Sequence, residues 1–202
     1  MKKQSGFTLI ELVVVLIVIG LLAVTAIPKF IDFTDQAKQA NIEGMAGGFA
    51  TGISLVRAQW EVEGRPQNTS GQNAVNYEGT LMILTTESSD GSVRPGYAVG
   101  LSDGENLDGA FDVTNCVEVW TNLLQNPPLV AGDIAELNSS DRFKYLVSQS
   151  GGGSGALCHY HLKETLNKDA NNNYVAPSNL TGEGNSFTYQ PANSAVVVYI
   201  NN

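Results

Sequence analysis

Gly6-Phe7-Thr8-Leu9-Ile10-Glu11-Leu12-Val13-Val14-Val15-Leu16-Ile17-Val18-Ile19-Gly20-Leu21-Leu22-Ala23-Val24-Thr25-Ala26-Ile27-Pro28 decides the fold of this chain. Between Phe7 and Ile27 the only charge is Glu11. A helix over those residues is about 31 Å long, close to the hydrocarbon thickness of a bilayer. A lone carboxylate so early in an apolar segment is costly and calls for a dedicated partner. A secretory signal is cut behind its apolar run at a small-x-small site. Ala23-Val24-Thr25-Ala26 fits that pattern loosely, but polar-faced helical sequence continues directly behind it. A plain membrane anchor explains the apolar run but neither Glu11 nor the Gly6-Phe7 junction.

The string Gly6-Phe7-Thr8-Leu9-Ile10-Glu11, followed by the apolar run, resembles the N-terminal signature of type IV pilins and type II secretion pseudopilins. The resemblance implies that residues 1–6 are a leader, cut between Gly6 and Phe7 by a prepilin peptidase that then methylates the Phe7 amine. It also implies that residues 7–27 are the transmembrane and assembly segment. Glu11 lies four residues from that new amine. A buried carboxylate is tolerated when a cation neutralises it. In a monomer within the bilayer the pairing can lie within the chain; in a filament the resemblance implies that the partner cation is the Phe7 amine of a neighbouring subunit, and either way the pair is expected to set axial register. The leader lysines Lys2 and Lys3 place the N-terminus on the cytoplasmic side and the bulk of the chain outside the inner membrane.

Working outward, Phe30, Ile31, Phe33, Ala37, Ala40, Ile42, Met45, Phe49, Ile53, Val56 and Trp60 alternate with charged and polar residues at helical spacing. One helix is expected from about Phe7 to Glu63. Gly20 and Pro28 are its weak points, since Pro28 cannot donate to the carbonyl of Val24. The resemblance implies local unwinding from Gly20 to Pro28 in assembled filaments. Gly44, Gly48 and Gly52 share one helical face. That strip is expected to let a sheet approach closely, with a neighbouring filament helix as its second use. Gly47 lies off the strip.

Glu63-Gly64-Arg65-Pro66 ends the helix and opens a head spanning residues 64–202. Strand patterns occur over residues 79–86, 96–101, 144–148 and 156–162, and twice within residues 187–200. A short helix is expected over residues 117–124, stopped by Pro127-Pro128. The expectation is an α+β fold, a long N-terminal α-helix packed on an antiparallel β-sheet, in agreement with the pilin architecture that the resemblance implies.

The formal charge is −9, and loss of Lys2 and Lys3 with the leader takes it to −11. Such an acidic exterior argues against direct nucleic-acid binding through a basic surface. Cys116 and Cys158 are expected to face an oxidising compartment, where a disulfide is the default. No nucleophile elbow or metalloprotease helix is present, and no enzyme activity is expected.

Ala23-Val24-Thr25-Ala26-Ile27-Pro28-Lys29-Phe30, residues 44–60 and Val119-Trp120-Thr121-Asn122-Leu123-Leu124-Gln125-Asn126-Pro127-Pro128 resemble mannose-sensitive haemagglutinin (MSHA) pilins, closest to a minor, B-type subunit. This likeness implies a pilus used for surface attachment. The subunit would wait in the inner membrane and then pass to the cell surface, with other pilin subunits and the inner-membrane assembly machinery as partners. A type II secretion pseudopilin is the alternative. An enzyme or ligand-binding domain on an uncleaved anchor is a third reading.

Asp103, Glu105, Asp108 and Asp112 form a carboxylate-dense loop of the kind that can ligate Ca²⁺, although Leu107 occupies the fifth ligand position of an EF-hand register. Asp169-x-Asn171-x-Asn173 imitates only the start of such a loop. His159 and His161 share a strand face. They are expected to be polar surface residues, since no third zinc ligand accompanies them. No other cofactor is expected.

Overall fold

The computed structural model describes residues 6–201, so residues 1–5 of the expected leader lie outside the described residues. The chain divides into two compact units, Met1–Ala37 and Lys38–Asn202.

Helix α1 spans Leu9–Val62. It continues through Gly20 and Pro28, so the expected break is not present in this single chain. Pro28 removes one helical hydrogen bond, and the bonds on either side carry the helix past it. In the first unit the large apolar side chains from Leu9 to Ile27 are exposed, with Leu9 at 80% and Val24 at 71%.

In the second unit α1 supplies Ile42, Ala46, Phe49, Ile53, Val56 and Trp60 to a single core, at the 3.6-residue period of one helical face. Two sheets meet that face. The first has three antiparallel strands in the order β1 (Ala74–Tyr77), β2 (Thr80–Leu84), β3 (Ala98–Gly100). The second has the order β4 (Val130–Ala131), β5 (Tyr145–Ser150), β6 (Leu157–Leu162), β7 (Ser186–Gln190), β8 (Ala195–Tyr199). It is antiparallel from β5 to β8, and β4 adds a two-residue parallel pairing at one edge. Two helices complete the head: α2 (Val113–Leu123) and α3 (Ile134–Ser139).

Aromatic packing dominates the core. The Phe49 ring lies 5.1 Å from Tyr160, 5.3 Å from Tyr189 and 5.5 Å from Phe187. Their polar tips are satisfied: the Tyr160 hydroxyl donates to the Cys116 carbonyl and the Tyr189 hydroxyl to the Ala98 carbonyl, both at 2.9 Å. The Tyr145 hydroxyl donates to Asn41 on α1 at 2.6 Å, joining sheet to helix. Cys116 on α2 and Cys158 on β6 are disulfide-bonded, with Cα atoms 5.5 Å apart.

Gly96 shows why one loop glycine is needed. Its φ is +92°, and a Cβ there would sit 2.5 Å from the buried Trp60 ring.

Candidate functional site

The N-terminal segment begins with a local device. Thr8 precedes α1 and Glu11 is three residues on. The Thr8 main-chain N–H and hydroxyl both donate to Glu11 Oε2, at 2.9 and 2.8 Å. The Glu11 N–H lies 3.3 Å from Thr8 Oγ1. This is a reciprocal capping box, which satisfies orphan donors of the first helical turn. In the single chain Glu11 is therefore held locally by Thr8. Phe7, Ile10, Glu11, Val14 and Val15 line a shallow, largely apolar hollow. Leu9–Ile27 is long and apolar enough to cross a membrane, with a mean hydropathy of 3.0 and none of it buried in the protein.

The glycine face divides in two. A Cβ at Gly52 would lie 2.7 Å from Leu123 Cγ, so this glycine lets α2 approach α1. The close approach is to a helix, not to the sheet that the spacing suggests. At Gly44, Gly47 and Gly48 a Cβ would meet nothing within 4 Å, and all three are exposed.

The carboxylates of the proposed Ca²⁺ loop do not converge. Among the described residues no group of three or more His, Cys, Asp or Glu side chains could hold a metal ion. Asp108 accepts the Ala110 N–H, and Asp112 caps α2 by accepting the Thr114 N–H. Glu105 accepts from Gln72 and Asn106. The Asp103 carbonyl, rather than its carboxylate, is tied to Asn115. Backbone N–H groups thus engage Asp108 and Asp112 and side-chain amides engage Glu105, and the four carboxylates expected to hold calcium, Asp103, Glu105, Asp108 and Asp112, do not come together in this structure. Asp169 likewise accepts the N–H groups of Asn171 and Asn173.

His159 and His161 also depart from expectation. They are 2% and 0% exposed, on the face of the large sheet opposite the aromatic core. Their rings are nearly parallel, with centroids 6.1 Å apart. His159 Nε2 lies 2.7 Å from Ser150 Oγ, whereas both nitrogens of His161 lack a hydrogen-bond partner. Burial pushes the pKa of His159 down, and burial with the neighbouring His159 pushes His161 down to about 4.

Residues 1–27 match the family described as the prokaryotic N-terminal methylation motif. The chain is 40% identical over 91 residues to the type IV narrow pilus major component PilA5 of Thermus thermophilus, covering 45% of this chain and 75% of that one. It is 42% identical over 112 residues to a fimbrial protein of Moraxella nonliquefaciens, covering 55% and 73%. It is 36% identical over 56 residues to type II secretion system core protein G of Pseudomonas aeruginosa, covering 28% and 39%. No solved structure matches. A methylation motif, an exposed apolar helix capped at Glu11, and pilins matched over about three quarters of their length lead to one conclusion: the chain belongs to the type IV pilin family.

Proposed function

We propose that this protein is a prepilin processed between Gly6 and Phe7, methylated on the new Phe7 amine, and polymerised through α1 into a surface filament of MSHA type used for attachment. A prepilin peptidase makes the cut. The inner membrane holds residues 7–27 until the assembly machinery extracts them. The observation that carries this reading is the span Leu9–Ile27, apolar and wholly unburied in the single chain, with Glu11 as its only charge. In the filament, copies of that helix replace lipid. Helix association in an apolar environment depends on close packing and on polar groups that find partners. Glu11 finds its partner in the Phe7 amine of the neighbouring subunit, and a buried polar pair of this kind fixes register.

The MSHA assignment, and a minor subunit that primes assembly, draw their support from the likeness of residues 23–30, 44–60 and 119–128 to those pilins. The match to a type II secretion core protein favours a second reading, a type II secretion pseudopilin.

The capping box dictates the test. Glutamine at the third helical position caps as glutamate does but carries no charge. Glu11→Gln therefore keeps helix entry and removes the register charge. The expected outcome is a membrane-inserted protein that is processed yet absent from sheared surface filaments. Normal filaments from Glu11→Gln would remove the register role. Filaments confined to the periplasm in the wild type would favour the secretion reading.

A further inference from the structure

We infer that His159 and His161 form an acid-sensitive latch: protonation of the pair releases residues 166–185 from the outer face of the large sheet. Along β5, β6 and β7 that face carries Leu146 and Ser148, His159 and His161, and Ser186 and Thr188 as cross-strand neighbours. Its centre is polar, yet it is buried. The chain from Leu166 to Asn185 crosses it. On the α3 side the Tyr174 N–H donates to Asn138 Oδ1, and Asn138 Nδ2 donates back to the Tyr174 carbonyl. Beyond β8, Asn201 Nδ2 donates to the carbonyls of Thr181 and Gly184. Between these ties the Leu180 main chain lies against His159, where it favours the protonated ring without outweighing the effect of burial.

The buried face under this strap holds groups without hydrogen-bond partners: both nitrogens of His161, Nδ1 of His159 and the Ser186 hydroxyl. Buried polar atoms without partners cost free energy, and adding charge to one raises that cost. Among the described residues no carboxylate acts on either ring. From the strap, Asp169 is bonded to Asn171 and Asn173, Glu183 to Ser178, and Lys168 lies over the Tyr174 ring. Lys163, 5% exposed, donates to the Leu137 and Ser140 carbonyls and faces Asp141. Glu164 acts on Tyr145, which belongs to the opposite face. From α3, Asp133 and Glu136 are engaged by the N–H groups of Glu136 and Gly132. The strands β5, β7 and β8 carry no ionisable acid or base other than tyrosine. The titratable neighbour that acts on His161 is His159, and two imidazolium rings at that spacing repel.

The direction follows from linkage. A histidine held below its ordinary pKa of about 6.5 binds fewer protons closed than open, so closure is favoured above that pH and weakened below it. The effect on His161 saturates near pH 4. One linked proton shifts the opening equilibrium by about tenfold per pH unit inside that window.

Hydrogen exchange of the full-length protein in detergent micelles, corrected for intrinsic rates, tests this at pH 7.5, 6.0 and 4.5. The expected result is strap exchange that rises at least about tenfold between pH 6.0 and 4.5, with β5, β6 and β7 still protected. In the double variant His159→Gln/His161→Gln the rise disappears. A flat wild-type strap, or the same rise in a folded double variant, overturns the latch. Should the double variant be open at every pH, imidazole titration of the wild type by carbon-13 NMR decides. Ring protonation that coincides with strap exchange supports the latch, and protonated rings beneath a protected strap overturn it.

Discussion

Replacing Gly48 by alanine should make the head more stable and the filament worse. In a helix interior glycine is about 0.8–1.0 kcal/mol less favourable than alanine. At Gly44, Gly47 and Gly48 the added methyl meets nothing within 4 Å, so no steric cost opposes the gain. The three substitutions together should contribute about 2.5–3 kcal/mol, or a rise of about 5–12 °C in Tm for a domain of this size. Gly52→Ala is the control. Its methyl would lie 2.7 Å from Leu123 Cγ, and overpacking of that kind costs about 1–3 kcal/mol, cancelling or reversing the propensity gain. Denaturant unfolding followed by the fluorescence of Trp60 and Trp120, both in the head core, measures each variant. Three exposed glycines in a helix weaken the isolated chain. Under the proposed function they admit a neighbouring helix at close range, so the triple variant should also yield fewer sheared filaments. A destabilised Gly48→Ala, or a Gly52→Ala as stabilised as Gly48→Ala, would refute this account of the helix face.

Cys116→Ser/Cys158→Ser opens a link spanning a sequence separation of 42 and should cost about 4 kcal/mol in the chain-entropy model, read as a fall of about 8–16 °C in Tm. Phe49→Ala removes the ring around which Trp120, Tyr160, Phe187 and Tyr189 pack, and should cost about 3–5 kcal/mol by the same denaturation assay. Stability should also fall as pH drops from 6.5 toward 4, because buried neutral His161 opposes a proton that the unfolded chain accepts. The lost stability is about 3 kcal/mol by pH 4 and should be absent from a folded His161→Gln. A full pH dependence in that variant would assign the loss to carboxylates instead.

What could be read from the sequence was whatever rests on local chemistry. The methylation motif and the apolar run are one-dimensional patterns, as is the helical period that brings Ile42, Phe49, Ile53 and Trp60 to one face. The alternation over residues 156–162 marks β6, and the turn near Asn193 marks the β7–β8 hairpin. The two-residue β4 escaped notice because its pairing with β5 is parallel and non-local. Helix α3 is short, although Asp133 and Glu136 at capping spacing offered a signal. The loop from Asp103 to Asp112 shows the limit of composition, which counts carboxylates without showing that they are engaged locally and do not converge. The burial of His159 and His161 depends on a strap tied down by Asn138 and Asn201, far from the histidines along the chain. Thr8 and Glu11 stand three residues apart at capping-box spacing, a local signal that a charge in an apolar run overshadows.

Under the proposed function this chain is processed at Gly6-Phe7 and assembled through its N-terminal helix. Intact-mass and N-terminal analysis of the protein in filaments sheared from the native cell surface reads both at once. The expected result is a chain beginning at methylated Phe7, two hydrogens light for the Cys116–Cys158 bond. An unprocessed Met1 terminus, in a cell whose prepilin peptidase is active, or absence of the protein from every filament fraction, would contradict it.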